Sequence, residues 1–232
     1  MFFDPIYLLV AAPAMLLSLW ASWQVKSTFN KYHQVGARSG VSGAQAASRL
    51  LAAKGINDVK IEETPGFLSD HYDPSAKALR LSPDVFHGRS LSALGVAAHE
   101  AGHAIQHATA YGPLAFRSMV AKPAQIGSTI GPYLLMAGAG LHMSGLLMAG
   151  VVLFGLATLF TLVTLPVEFD ASRRAVVALQ QAGIVGSDEA EDTWKVLRAA
   201  ALTYVAAAIT AVSMLLYYLW RAGLLGGRSD DR

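Results

Sequence analysis

The stretch Ala97-Ala98-His99-Glu100-Ala101-Gly102-His103-Ala104 holds two histidines four residues apart, with a glutamate directly after the first. On a helix that spacing puts both imidazoles on one face, one turn apart, where two ring nitrogens can meet one metal ion. Zinc suits the pair, because it accepts imidazole and carboxylate ligands at about 2.0–2.2 Å and keeps one position for water in catalytic sites. Glu100 follows His99 and is placed to act on that water as a general base rather than to bind the ion. The chain has no cysteine, so disulfides and thiolate sites are excluded and the ligands must come from His, Asp or Glu. One Zn2+ ion is the expected cofactor. The alanines and glycine around the pair would let another backbone approach closely.

A third ligand must come from elsewhere, so the elements that could bring it matter. Of 232 residues, 53% are hydrophobic and 15% charged, a balance that indicates a membrane protein. A net charge of +2, with basic residues dispersed rather than in long runs, argues against a nucleic-acid partner. Residues from Ile6 to Trp23 form a first apolar span with Trp20 and Trp23 as interfacial anchors. A secretory signal is the rival reading, but no basic residue precedes the run and no clear cleavage site follows it. Residues 25–122 are of mixed composition and form the polar domain. There Ser42 is expected to cap a helix running to about Lys54, with Gly55 at its left-handed end. Val59 and Ile61, then Leu79 and Leu81, suggest two short strands with a turn at Asp73-Pro74-Ser75. Ser90 opens the helix that carries the histidines, which is expected to run through Ala110 and to end at Gly112 and Pro113.

No charged side chain lies between Lys122 and Glu168, room for a helical hairpin of two crossings joined at His142-Met143-Ser144-Gly145. Residues 167–200 are polar again, and Leu202 to Trp220 make a last span with Tyr217, Tyr218 and Trp220 at interfacial depth. The expected layout is a first transmembrane helix over 1–24, a cytoplasmic domain over 25–122, a hairpin over 123–166, a cytoplasmic segment over 167–200, a last transmembrane helix over 201–221 and a tail over 222–232. Placing both polar segments on one side gathers the basic residues from Lys26 to Arg198 there and leaves Arg221, Arg228 and Arg232 opposite. By the positive-inside rule that side is cytoplasmic. Gly127 and Gly131 make a GxxxG step to which no function is assigned.

On this topology Glu168, directly after Leu165-Pro166-Val167 at the cytoplasmic end of the third span, shares a membrane side with the histidine helix and is the preferred third ligand; a glutamate snorkelling to water is the plainer alternative. His107 extends the four-residue series but lies about 12 Å beyond His99 along a straight helix, too far for one ion. Asp170 is the runner-up, as ligand or as a partner orienting an imidazole. His71 and Tyr72 lie in a segment read as a hairpin, where either could donate to an oxyanion or simply pack beside a turn. Arg173 and Arg174 could stabilise Glu168, an oxyanion or a lipid phosphate, or face solvent or lipid. Asp188, Glu189, Glu191 and Asp192 fit a helix start favoured by the helix dipole, so no calcium site is proposed.

Three strings, Gly95-Val-Ala-Ala-His-Glu-Ala-Gly-His-Ala-Ile-Gln106, Leu68-Ser-Asp-His-Tyr-Asp-Pro74 and Pro166-Val-Glu-Phe-Asp-Ala-Ser-Arg-Arg-Ala175, together resemble the YugP-like neutral zinc metallopeptidases of bacterial membranes. The likeness covers most of the chain. More distantly the chain is similar to the HtpX and CAAX prenyl protease group, in which a glutamate downstream of the helical hairpin is the third zinc ligand. That resemblance implies Glu168, a gluzincin-like ligand set and a multi-pass protein of the bacterial inner membrane. In those relatives an aspartate four residues after the glutamate supports a zinc-bound histidine. Ser172 stands at that spacing here, so either Ser172 supports more weakly or Asp170 substitutes.

The resulting expectation is a mainly α membrane protein of about four transmembrane helices with a small α+β zincin-like cytoplasmic domain. It would be a zinc metalloendopeptidase acting on a peptide or membrane-protein substrate at the bilayer surface. The alternatives are a non-enzymatic zinc-binding membrane scaffold or regulator, and a zinc hydrolase of a non-peptide amide. A homo-oligomer or a membrane partner protein is compatible with the sequence, which specifies neither.

Overall fold

A computed structural model of the chain describes residues 4–225; residues 1–3 and 226–232, with Arg228, Arg232 and most of the expected tail, lie outside them. The described elements run α1 (Pro5–His33), α2 (Gly43–Ala53), β1 (Lys60–Glu63), β2 (His71–Asp73), β3 (Ala78–Leu81), α3 (Pro83–Phe86), α4 (Leu91–Ala108), α5 (Gly112–Gly140), α6 (Ser144–Gln181) and α7 (Ser187–Arg221). The chain divides into two compact units, one of Met1–Ala21, Phe116–Leu165 and Thr203–Arg232, the other of Ser22–Ala115 and Pro166–Leu202.

The second unit holds the sheet and the histidine helix. Helix α2 starts as expected: Ser42 accepts from the Gln45 amide while the Gln45 side chain accepts from the Ser42 amide, a full capping box. Gly55 follows its end at φ +72°, a conformation that a side chain would strain. The sheet has three strands, not two, in the order β1-β3-β2, with β1 parallel and β2 antiparallel to β3. The additional strand, β2, is only three residues long, too short for alternation to announce it, and the Asp73-Pro74-Ser75 turn leads from it into β3. Helix α4 begins at Leu91, where Ser90 accepts from the Ala93 amide, satisfying one of the amides left over at a helix start. It ends at Ala108, and Ala110 takes a left-handed φ of +49°.

Gly112 and Pro113 do not close α4 but open α5. Proline suits a first helical turn, where its missing N–H would have no partner and its fixed φ is already helical. The same dipeptide therefore marks a start where a stop was expected. Leu50, Leu79, Leu81, Leu91, Leu94, Leu179 and Leu197 are buried in one core with alanines of α2, α4 and α6, each leucine contributing about 1.5–3 kcal/mol relative to exposure. At Gly43 an added Cβ would lie 2.2 Å from the Val85 carbonyl oxygen, so α2 sits at a distance from α3 that only glycine permits.

In the first unit, α5 and α6 pack through glycine. A Cβ at Gly127 would stand 2.1 Å from the Leu153 carbonyl oxygen, and one at Gly138 would stand 2.4 Å from the Leu147 amide nitrogen. His142, between the two helices, has φ +55°. At the ends of α1 and α7, the Tyr217 hydroxyl donates to Asp4 at 2.8 Å and Tyr7 meets Tyr217 edge to face. Three helices among the described residues, α1, α6 and α7, are long and apolar enough to cross a membrane. Helix α5 is long enough, but Gln125, Ser128, Thr129, Pro132 and its glycines dilute its apolarity.

Candidate metal centre

His99 and His103 project from one face of α4 as their spacing requires, with ring centroids 4.7 Å apart and planes nearly perpendicular. The approaching element is α6, which buries Val167, Ala171, Ala175, Ala178 and Leu179 along one side. Alanines there leave little between the two backbones, and Gly102 removes the last obstacle: a Cβ on it would be 2.7 Å from the Ala171 carbonyl oxygen. Contact at this point sets Glu168 and Ser172, one helical turn apart, beside the histidines.

Glu168 Oε2 lies 3.2 Å from His99 Nε2 and 3.5 Å from His103 Nε2. Ligands at about 2.05 Å around a tetrahedral ion are separated by about 3.3 Å, so these two spacings match those of a carboxylate and two imidazoles sharing one zinc. The three ligand atoms all lie within 4.8 Å of one another, and His99, His103 and Glu168 form a group that could hold a metal ion. The chemistry of the set, two imidazole nitrogens and one carboxylate oxygen with no sulfur, suits zinc. The Glu168 side chain is 2% exposed while those of His99 and His103 are 14% and 12% exposed, so the carboxylate is closed off and the imidazoles are still reachable.

The far side of each ring is also held. His99 Nδ1 meets the Ser172 hydroxyl at 3.0 Å, and His103 Nδ1 meets the Gln106 side-chain oxygen at 3.0 Å. Gln106, fully buried, donates at 2.9 Å both to the Val167 carbonyl and to Asp170. Asp170 in turn accepts from Arg173 and Arg174. Asp170 thus reaches an imidazole only through Gln106, and both arginines have Asp170 as a partner. Burial works against a charged His103, but the carboxylates of Glu168 and Glu100 together with Gln106 outweigh it, so the ring holds its proton more tightly than a free imidazole.

Glu100 is buried on α4, and among the described residues no protein donor is hydrogen-bonded to its carboxylate. Asp70, at the entry to β2, accepts from the Ser82 amide and hydroxyl. Burial pushes the Asp70 carboxyl up, those two bonds oppose the rise, and the charge of Glu100 adds to it. Tyr72 contacts the end of α4, its hydroxyl 2.9 Å from His107 Nδ1. His71 is exposed on the same strand, with Nδ1 2.8 Å from the Ser69 carbonyl oxygen. Arg173 is largely exposed and borders a shallow cleft with Tyr111, Phe169 and Trp194.

Gln106 is the residue that sequence reasoning passed over, although it closes the motif string quoted above. Its signal was available: it is the one amide side chain on α4, three residues beyond His103, and therefore on the same face.

A His-Glu-x-x-His helix joined by a buried glutamate from a second helix is the arrangement of a zinc metallopeptidase centre. The chain belongs to the family described as "Putative neutral zinc metallopeptidase", whose model matches residues 7–223. It is 42% identical over 226 residues to "Putative membrane protease YugP" of Bacillus subtilis (strain 168), an alignment covering 97% of this chain and 100% of that protein. No solved structure matches the chain. The membrane relative and the three apolar helices support a membrane location.

Proposed function

We propose that this chain is a membrane-embedded zinc metalloendopeptidase in which His99, His103 and Glu168 hold one zinc ion and Glu100 is the general base. The observation that carries this reading is the convergence of Glu168 Oε2 on both Nε2 atoms, at 3.2 and 3.5 Å, beside a glutamate with no hydrogen-bond partner among the described residues. Zinc bound there would supply a Lewis acid for the scissile carbonyl and lower the pKa of its water to about 7. Glu100 takes a proton from the attacking water and returns it to the leaving amine, which completes hydrolysis of the peptide bond. The strand order β1-β3-β2 leaves β2 at an edge, where an extended peptide could add as a further strand, with His71 or Tyr72 available to the carbonyl oxygen.

In this reading α5 is the fourth crossing, held to α6 by glycine contacts that offset its lower apolarity. The polar segments 25–122 and 167–200 form the cytoplasmic part, as the distribution of basic residues favours. Substrates are peptides or membrane proteins that meet the site at the inner face of the bilayer.

Replacing Glu100 with Gln tests the mechanism in the full-length protein held in detergent or nanodiscs. Zinc content should be unchanged and turnover of casein or a membrane substrate should fall by about 10²–10⁴-fold. Retained proteolysis in Glu100→Gln would sink the assignment. Native protein that binds zinc stoichiometrically but shows no chelator-sensitive turnover would leave the scaffold reading in its place.

A further inference from the structure

The two histidines face supports of different chemical character. A hydroxyl such as that of Ser172 can donate or accept, so it holds the His99 ring without deciding which nitrogen carries the hydrogen. A glutamine side chain has a fixed donor end and a fixed acceptor end. At Gln106 the donor end is determined by its partners: the Val167 carbonyl and the Asp170 carboxylate, both 2.9 Å from Nε2, can only accept. Turning the amide over would set the oxygen of this fully buried side chain against two oxygens. Gln106 Oε1 must therefore face His103 Nδ1, at 3.0 Å, and because this oxygen only accepts, Nδ1 must carry the hydrogen. A neutral ring in that state has its lone pair on Nε2, the atom that faces Glu168.

We propose that Gln106 is a positioning residue that fixes His103 as the Nδ1–H tautomer, and that Val167 and Asp170 on α6 act as the lock that sets the direction of its amide. This rests on His103 being a metal ligand. The helix that supplies Glu168 thereby also prepares His103, so the donor set is completed only when α6 is seated on α4. Arg173 and Arg174 keep Asp170 as an acceptor, and so belong to the lock without touching the ligands. A free imidazole prefers the opposite tautomer, with hydrogen on Nε2, which would have to be given up on each binding event; the lock removes that step beforehand.

The test uses full-length, zinc-free protein labelled with 15N-histidine, at an alkaline pH set above the titration of His103 that the same spectra locate, and reads the two ring nitrogens of His103 by long-range 1H–15N NMR, assigned by loss of the signal in His103→Ala. Wild type should show hydrogen on Nδ1. Gln106→Leu should move the population toward Nε2–H and weaken zinc binding about 10–100-fold in chelator competition. Gln106→Glu combined with Asp170→Asn, which supplies a donor to face the new carboxylate, still offers Nδ1 an acceptor and should keep hydrogen there. If Gln106→Leu does not fold, Gln106→Met takes its place, since a thioether of similar length offers Nδ1 no comparable acceptor and should move the population in the same direction. Hydrogen on Nε2 in wild type would overturn the proposal, as would equal loss of the Nδ1–H form in the Leu and Glu variants, or an unmoved population in the variant tested. Failure of the metal reading would look different: His103→Ala would leave zinc affinity unchanged, whatever the tautomer.

Discussion

Helix α6 meets a neighbour through glycine in each unit of the molecule, and the two contacts serve different ends. Near its start, Gly127 and Gly138 bring the α5 backbone against Leu153 and Leu147, in a stretch of the chain with no charged side chain between Lys122 and Glu168. Near its end, Gly102 brings α4 against Ala171, and here the flanking side chains are His99, His103, Glu168, Ser172, Gln106 and Asp170. Close approach of backbones is thus a general packing device. A site arises where polar side chains stand on either side of it, held at spacings too short to be reached across larger residues.

The comparison can be broken most severely at the ligands. Glu168→Gln removes the charge and one good donor from the cluster, and zinc affinity should fall by more than about 100-fold, measured by competition with a chromophoric chelator. An unchanged affinity would remove Glu168 from the ligand set. The next effect separates the two glycine contacts. Both Gly102→Ala and Gly127→Ala overpack a helix pair and should destabilise by about 1–3 kcal/mol, but only Gly102→Ala should also weaken zinc binding, because only there does displacement of α6 move Glu168. Equal zinc affinities in the two variants would show that the contact at Ala171 packs without aligning. The smallest effect is in pH. The proton that His103 holds above its ordinary 6.5 stabilises the zinc-free fold below that pH, and this contribution is lost as pH rises through the raised value. Zinc binding needs the neutral ring and runs the other way. Melting temperatures of zinc-free and zinc-loaded protein should therefore diverge from mildly acidic to mildly alkaline pH, and parallel curves would argue against His103 as a ligand.

The parts of this centre that could be read from sequence are those governed by local spacing. His99, Glu100 and His103 are arranged by a single helix, so four residues of separation suffice. Glu168 carries a different kind of signal, an abrupt return of charge after a long apolar stretch together with a family likeness, and Ser172 is marked by that likeness alone, standing where the relatives have an aspartate. The role of Gln106 was not accessible in that way, because it depends on a backbone carbonyl and a carboxylate from another helix. Asp170 was singled out, but the residue it acts through was not. The missed strand β2 and the misread Gly112-Pro113 pair have a common cause: three residues are too few for periodicity, and a glycine-proline pair can begin a helix as readily as end one.

The chain separation within the cluster has a thermodynamic consequence. His99 and Glu168 are 69 residues apart in sequence, so bringing them together closes a long loop at an entropic cost of about 4 kcal/mol on a simple polymer estimate, which an ion bound to the folded chain, in the proposed zinc reading, helps to offset. Stability then depends on mass action: each tenfold rise in free zinc above its dissociation constant adds about 1.4 kcal/mol to the folded state, a trend that melting against buffered zinc would reveal. On the proposed zinc reading the ion is a clasp as well as a reagent, and how firmly the polypeptide is held becomes a measure of the zinc around it.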